Sequence, residues 1–346
     1  MEYRVEKVDA VAKKDVILQL WRQNFPEMDG ESRFEWMYEK NPEGVPEVWL
    51  LLSPGVAYVG MVAVCKRIFF KATEEMTAGQ TMDFVVNEDH RSLGPAIQLQ
   101  RRVVEEFKKG KADFLYSFPN KKSKNVIKRA GFVECGLLQR WTLVLCPSYV
   151  VQKYFKNKRF ASIVGKLCDI LFKIKHVTLS RQKKYQMQPS WELNEVGSEL
   201  DEIWNNFVQS VNIVGKRDAH FLQWRFGACS SSPGRCFIMK EQNVPRGYII
   251  FQQNGQHISI VDYMSDQLEY LEPLFRLFVK SMMKNNYMSI SIECNNTPFG
   301  STFLQSVGFV SRPSNDGVYV VLGERRVNNP MLKPDTLFVT IADRDI

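Results

Sequence analysis

The chain has 346 residues, 45% of them hydrophobic and 12% aromatic, and its 46 Lys and Arg against 38 Asp and Glu give a formal net charge of +8. That length exceeds what one hydrophobic core usually serves, so about two domains are expected, and the composition excludes a chain too polar to fold. No apolar run approaches the roughly 20 residues that span a bilayer, Met1 to Lys7 lacks the apolar core of a signal peptide, and the seven cysteines show no Cys-x-x-Cys pair, so a cytoplasmic protein with reduced thiols and no metal site is expected.

Tyr3 to Val8 reads as a weak strand, Asp15 to Phe25 has helical spacing, and Ser32 to Tyr38 follows as a second helix ended by Asn41-Pro42-Glu43-Gly44. Three strands come next, Val48 to Leu52, Val56 to Ala63 and Val64 to Lys71, leading to the short apolar run Asp83-Phe84-Val85-Val86. That run passes through Asn87 to His90 into Arg91-Ser92-Leu93-Gly94-Pro95-Ala96. Beyond it Leu99, Val103 and Phe107 recur every fourth residue, which lines one face of a helix. The order is strand, glycine-bearing turn, helix.

Such an order has a physical use. The first N–H groups of a helix lack intrahelical partners and carry the positive end of its dipole, so an anion can sit there. Gly94 lets a ligand approach the backbone without a Cβ in the way, Pro95 suits a first helical position, and Arg91 offers a side-chain partner to a phosphate. Asp113 to Phe118 then reads as a second strand, Pro119-Asn120 breaks it, and Ser123 to Ala130 is a short helix stopped at Gly131-Phe132.

Arg91-x-x-Gly94-x-Ala96, the strand ending near Asn120 and the helix closing in Gly131-Phe132 together resemble the GNAT family of acyl-CoA-dependent N-acyltransferases, over roughly the first 145 residues. The resemblance implies acetyl-CoA, or another acyl-CoA, as co-substrate. Phe84, Val85 and Val86 would meet its pantetheine arm through their main chain. Arg91, Ser92, Leu93, Gly94, Pro95 and Ala96 would cradle the pyrophosphate, and Asn120 would touch the arm from the second strand. Asp83, at the start of the presenting strand, is the first candidate for the base that deprotonates an amine, ahead of Glu88, Asp89 and His90. A main-chain N–H, that of Val85 or Val86, would meet the tetrahedral oxyanion. The chain departs from the family at Ile127, where many members place a tyrosine acid. Tyr116 or Ser117 serves instead, or solvent does, or the chain is not an efficient acetyltransferase.

The pattern returns further on. Trp36/Trp224, Gly60/Gly247, Asp83/Asp262 and Gly131/Gly308 match at offsets of 188, 187, 179 and 177, which argues for a duplicated domain. After Asp262 the second copy has no glycine turn and no arginine, and it carries Asp266 and Glu269 where a pyrophosphate would approach. The expected class is therefore α/β (α+β): two tandem acyl-CoA N-acyltransferase folds, each a mixed, mostly antiparallel sheet flanked by helices. Residues 1–147 would bind coenzyme, 148–190 connect, and 191–346 form a degenerate copy that is structural or binds the acceptor.

The connector is basic, with ten Lys or Arg against Asp169 between Ser148 and Lys184, so the remainder of the chain is close to neutral. Its apolar spacing fits an amphipathic helix, suited to an anionic membrane surface or to simple packing on the domains, and nothing in it resembles a nucleic-acid reading motif. The expected activity is acyl transfer to an amine, with a small molecule or glycan such as an amino sugar of a surface glycan pathway as acceptor. The alternatives are a non-catalytic binding protein on the same fold and a Fem-type aminoacyl transferase. The tail from Pro334 to Ile346 has strand character and ends in a carboxylate that is a further candidate base.

Overall fold

In the computed structural model the described residues are 2–148 except 56 and 111, then 164, 167, 185–187, and 191–345 except 209–212, 228–229, 231–232, 296–301, 315 and 324–336. The basic segment 148–184 thus lies almost wholly outside the described residues.

The first part of the chain forms β1 (Arg4–Val8), α1 (Lys14–Asn24), α2 (Gly30–Phe34, continued by a π turn Glu35–Glu39), β2 (Glu47–Leu52), β3 (Tyr58–Lys71), β4 (Glu74–Val86), α3 (Leu93–Lys109), β5 (Phe114–Ser117), α4 (Lys124–Arg129), β6 (Val133–Leu137) and β7 (Gln139–Val144). The second part forms β8 (Tyr185–Met187), β9 (Trp191–Glu192), α5 (Gly197–Val208), β10 (Ile213–Gly215), α6 (Ala219–Phe226), β11 (Arg235–Glu241), β12 (Val244–Asn254), β13 (His257–Ser265), α7 (Leu271–Lys284), β14 (Ser289–Cys294), α8 (Thr302–Val307), β15 (Val310–Arg312), β16 (Gly317–Leu322) and β17 (Leu337–Phe338). The two strands expected at Val56–Ala63 and Val64–Lys71 are a single strand, β3, because no turn residue separates the two apolar runs.

Two mixed sheets result. The first runs β1-β2-β3-β4-β5-β16-β6, with β10 on the far end of β3 and β17 on β10; the second runs β15-β7-β14-β13-β12-β11-β8, with β9 on β11. Pairing is antiparallel except β4 with β5, β13 with β14 and β10 with β17. Each first-half helix buries the stripe its spacing announced. Leu99 and Val103 of α3 and Ile127 of α4 pack on Val62, Val64 and Leu115, while Ile17, Trp21 and Phe34 cover Leu50, Met61 and Val85 on the opposite face. Side chains of that size contribute roughly 1.5–3 kcal/mol each when fully buried.

A division at residue 147 does not separate the sheets. Strand β7 precedes that boundary yet pairs in the second sheet with β14 and β15, and β16, 178 residues later, pairs in the first with β5 and β6. The two halves exchange their last strands. Other matched positions behave alike. Trp36 Nε1 donates to the Trp224 carbonyl at 2.9 Å and Trp224 Nε1 to the Trp36 carbonyl at 3.0 Å, so the echoed tryptophans meet across a local two-fold. A Cβ on Gly60 would lie 2.8 Å from the Val85 carbonyl oxygen, and one on Gly247 2.8 Å from that of Met264. The same close strand approach explains both glycines. No helix among the described residues is long and apolar enough to cross a membrane.

Candidate active site

Strands β4 and β5 pair only over Ala78–Gln80 and Phe114–Tyr116, yet β4 continues to Val86. Among the described residues about 20 Å of β4 therefore has no strand beside it on that edge, which leaves a gap there. A bulge opposite Val62 bends β4 where the register with β3 shifts. Asp83 sits in it at φ 52°, a left-handed conformation that costs an L-residue energy unless its surroundings hold it. Arg33 and Tyr38 hold it. Arg33 Nε and Nη2 donate to Asp83 Oδ1 at 3.0 and 2.7 Å, and the Tyr38 hydroxyl donates to Oδ2 at 2.8 Å. Burial, with Asp83 alongside, drives the Tyr38 phenol well above its ordinary range, so it stays a donor. Asp83 is thus engaged on both oxygens, by a buried cation and a buried phenol.

Beyond Val86 the chain makes a short turn and enters α3 at Leu93, so Pro95 stands third in the helix rather than first, still within the turn whose N–H groups have no helical partner. No side chain among the described residues caps this end. Arg91 donates from Nε to the Val86 carbonyl at 2.9 Å and from Nη2 to Asn24 Oδ1 at 2.9 Å, which ties the turn to β4 and α1. A Cβ on Gly94 would meet nothing within 4 Å, so the space outside it is open. Asn120 lines the cleft, and its Oδ1 accepts from the backbone N–H groups of Lys122 and Ser123.

Two cavities follow the gap. The first, of about 450 Å³, is lined by Phe84, Val85, Val86, Arg91, Ser92, Ala96 and Asn120, and its charged residues are Arg91 and Lys122. The second, of about 1150 Å³, shares Phe84 and Asn120 with it and reaches Thr81, Asp83, Gln100, Ser117 and Ile127; its charged residues are Glu27, Asp29, Arg33, Asp83 and Asp345. One end of the cleft is basic and the other acidic. Of the anticipated coenzyme residues, Gly94 lies on the outer side of α3, Pro95 is buried in its first turn, and Leu93 opens the helix.

No protein-family profile matches the chain, and no curated protein does. Solved structures do. A GCN5-related N-acetyltransferase from Anabaena variabilis aligns over 93% of this chain and 73% of its own, with a TM-score of 0.65 at 12% identity. A protein of Enterococcus faecalis described as a probable N-acyltransferase aligns over 93% and 72%, with a TM-score of 0.66 at 11% identity. Yeast N-myristoyltransferase with bound myristoyl-CoA aligns over 93% and 79%, with a TM-score of 0.56 at 10% identity. The fold is that of the GCN5-related N-acetyltransferases.

Within this GNAT fold Tyr116 is not among the residues lining the cleft. Its hydroxyl donates to Gln80 Oε1 at 3.2 Å, its ring packs edge-on against Phe69 and Phe118, and burial pushes its pKa far up. Strand alternation explains this, because Leu115 and Ser117 face α3 and Tyr116 faces the other way. Ser117 does line the cleft, as does Ile127. Among the described residues no group of three His, Cys, Asp or Glu is arranged to hold a metal.

The matching position in the second half is closed. Asp262 accepts from Arg217 Nε at 3.0 Å and from the Tyr248 hydroxyl at 2.8 Å, as Asp83 does from its own Arg and Tyr, but it also accepts from Thr340 of the tail at 2.6 Å. Thr340 bridges to Cys294 at the end of β14, and the Val339 N–H donates to Asn295 Oδ1 at 3.0 Å. The tail thus fills the second cleft and then turns back, ending with Asp345 in the acidic end of the first. Sequence reasoning passed over Arg33, Tyr38 and Gln100. Gln100 left a visible trace, being polar on a helical stripe otherwise formed by Ala96, Leu99, Val103, Val104 and Phe107.

Proposed function

We propose that this protein transfers an acyl group from coenzyme A to the nitrogen of an amine. The observation that carries the reading is the polarity of the cleft, a bare helix N-terminus with Arg91 and Lys122 at one end and carboxylates at the other. A diphosphate suits the first end and a cationic amine the second, an amino sugar being one such amine. The acyl chemistry itself follows the fold of the solved N-acyltransferases.

In that reaction the amine loses a proton and its lone pair attacks the thioester carbonyl. The C–N bond forms, the C–S bond breaks, and the coenzyme leaves as a thiolate that takes up a proton. With Asp83 engaged by Arg33 and Tyr38, we assign the base to Asp345. Burial raises its carboxyl above its ordinary value, Arg33 pulling the other way and Asp83 reinforcing the rise, and a raised carboxyl is a better proton acceptor than an ordinary one. With Ile127 in place of a tyrosine, the thiolate takes its proton from Ser117 or solvent.

Calorimetric titration with acetyl-CoA tests the reading, and an absence of heat at millimolar coenzyme would remove it. Asp345→Asn should bind the coenzyme as the native chain does while losing about 100-fold or more in kcat. The base is active only when deprotonated, so activity should fall as pH drops through the raised pKa of Asp345. The variant should lack that acid limb; a limb unchanged in Asp345→Asn would place the base elsewhere.

A further inference from the structure

The larger cavity ends on a side chain that the fold does not account for. Gln100 of α3 is completely buried, and among the described residues neither its Oε1 nor its Nε2 has a hydrogen-bond partner. An unsatisfied buried amide is expensive, and native proteins keep one where something else completes it. Gln100 lines the cavity with Thr81 and Ser117, at the point where β4 and β5 part company after Gln80 and Tyr116. It stands about two turns into α3, past Phe84 and away from the helix mouth. The Thr81 hydroxyl already donates to the Tyr116 carbonyl, at 3.5 Å. The deep end of the cleft therefore offers an unpaired carboxamide and two hydroxyl groups beside the apolar Ile127.

We propose that Gln100 selects the acyl group, favouring a hydroxyacyl thioester over a plain alkyl one. The inference rests on the acyl-coenzyme A reading above and names the substrate class of the same site. With the pantetheine arm along Phe84 to Val86, what lies beyond the thioester points to Thr81, Ser117 and Gln100. An alkyl chain there would give the buried carboxamide nothing and leave both of its polar atoms unpaired. A hydroxyl group supplies a donor for Oε1 or an acceptor for Nε2, and Thr81 and Ser117 are at hand for its remaining valence. Discrimination of this kind is strong because the wrong ligand pays for the protein's unpaired group as well as its own missing bond. A long saturated chain is excluded on the same ground.

The experiment compares thioesters of equal length, lactoyl- with propionyl-coenzyme A and 3-hydroxybutyryl- with butyryl-coenzyme A, by competition against bound acetyl-coenzyme A. The native chain should prefer at least one hydroxylated member of a pair by about 100-fold. Gln100→Leu, close in volume and free of polar atoms, should abolish or reverse that preference, leave affinity for free coenzyme A unchanged, and melt no lower than the native chain. Equal affinities within both pairs in the native chain would overturn the proposal. So would a Gln100→Leu variant that loses free coenzyme A while keeping the native preference, since Gln100 would then serve the pantetheine arm. Failure of every thioester and of free coenzyme A to bind the native chain would instead remove the transferase reading itself.

Discussion

Deleting residues 337–346 should leave a chain that no longer unfolds cooperatively, and Asp343→Ala alone should cost about 3–5 kcal/mol of stability. Asp343 is buried between two arginines, accepting from Arg217 Nη2 and lying 3.6 Å from Arg67 Nη2. Burial works against the charge on Arg217, and Asp262 and Asp343 more than offset it, holding its pKa above the usual guanidinium range. Arg225, pushed down to about 10 by burial and by Arg33 and Arg67, donates to the carbonyls of Ala342 and Arg344. Without the tail Arg67 loses its carboxylate, Arg225 loses both carbonyls and Arg217 keeps only Asp262 of its two carboxylates, and an uncompensated charge in the interior is among the costliest defects. Leu337, Phe338, Val339 and Ala342 would also leave holes, being at most 3% exposed. Urea unfolding followed by fluorescence reads the loss as a lowered midpoint. A midpoint within about 1 kcal/mol of the native chain for Asp343→Ala would mean that the two arginines find other partners.

Combining Arg91→Glu with Gly94→Asp should weaken acetyl-coenzyme A binding by about 100-fold or more and leave the fold standing. The change sets one carboxylate at the mouth of α3, where a diphosphate is to sit, adds a second on the outer side of the same turn, and removes the guanidinium. A difference of about 3 kcal/mol is a factor of about 100 in affinity. The fold tolerates the change because the space around Gly94 is open and because acids near a helix N-terminus favour the helix. Its structural cost is the pair of Arg91 hydrogen bonds to Val86 and Asn24, about 1 kcal/mol each. Calorimetry measures the affinity and a melting curve the integrity. A folded double variant with native affinity would move the coenzyme away from this helix.

What the sequence made legible was local. The order strand, turn, helix from Asp83 to Phe107 depends on residues close along the chain, and the helix stripes follow from spacing and side-chain type. The echo at Trp36 and Trp224 was also readable, since it needs only two similar words. The exchange of β7 and β16 was not. Gln139–Val144 reads as a strand in whichever sheet it joins, and its partner is chosen by packing among residues 150 or so positions away. The φ of Asp83 and its pairing with Arg33 belong to the same class, because a bulge is set by the register of two strands and leaves no mark in one of them. Tyr116 was a reasonable hydroxyl by proximity in sequence, but alternation along β5 turned it to the wrong face.

The strand exchange also bears on how the molecule is made. During synthesis the first sheet waits for its penultimate member until residues 317–322 have left the ribosome, so β5 and β6 emerge early with bare edges. Such edges invite pairing with strangers. The nascent first sheet must therefore be sheltered or stay loosely collapsed until then, and the cleft beside β4 takes its final form only after β16 has been made.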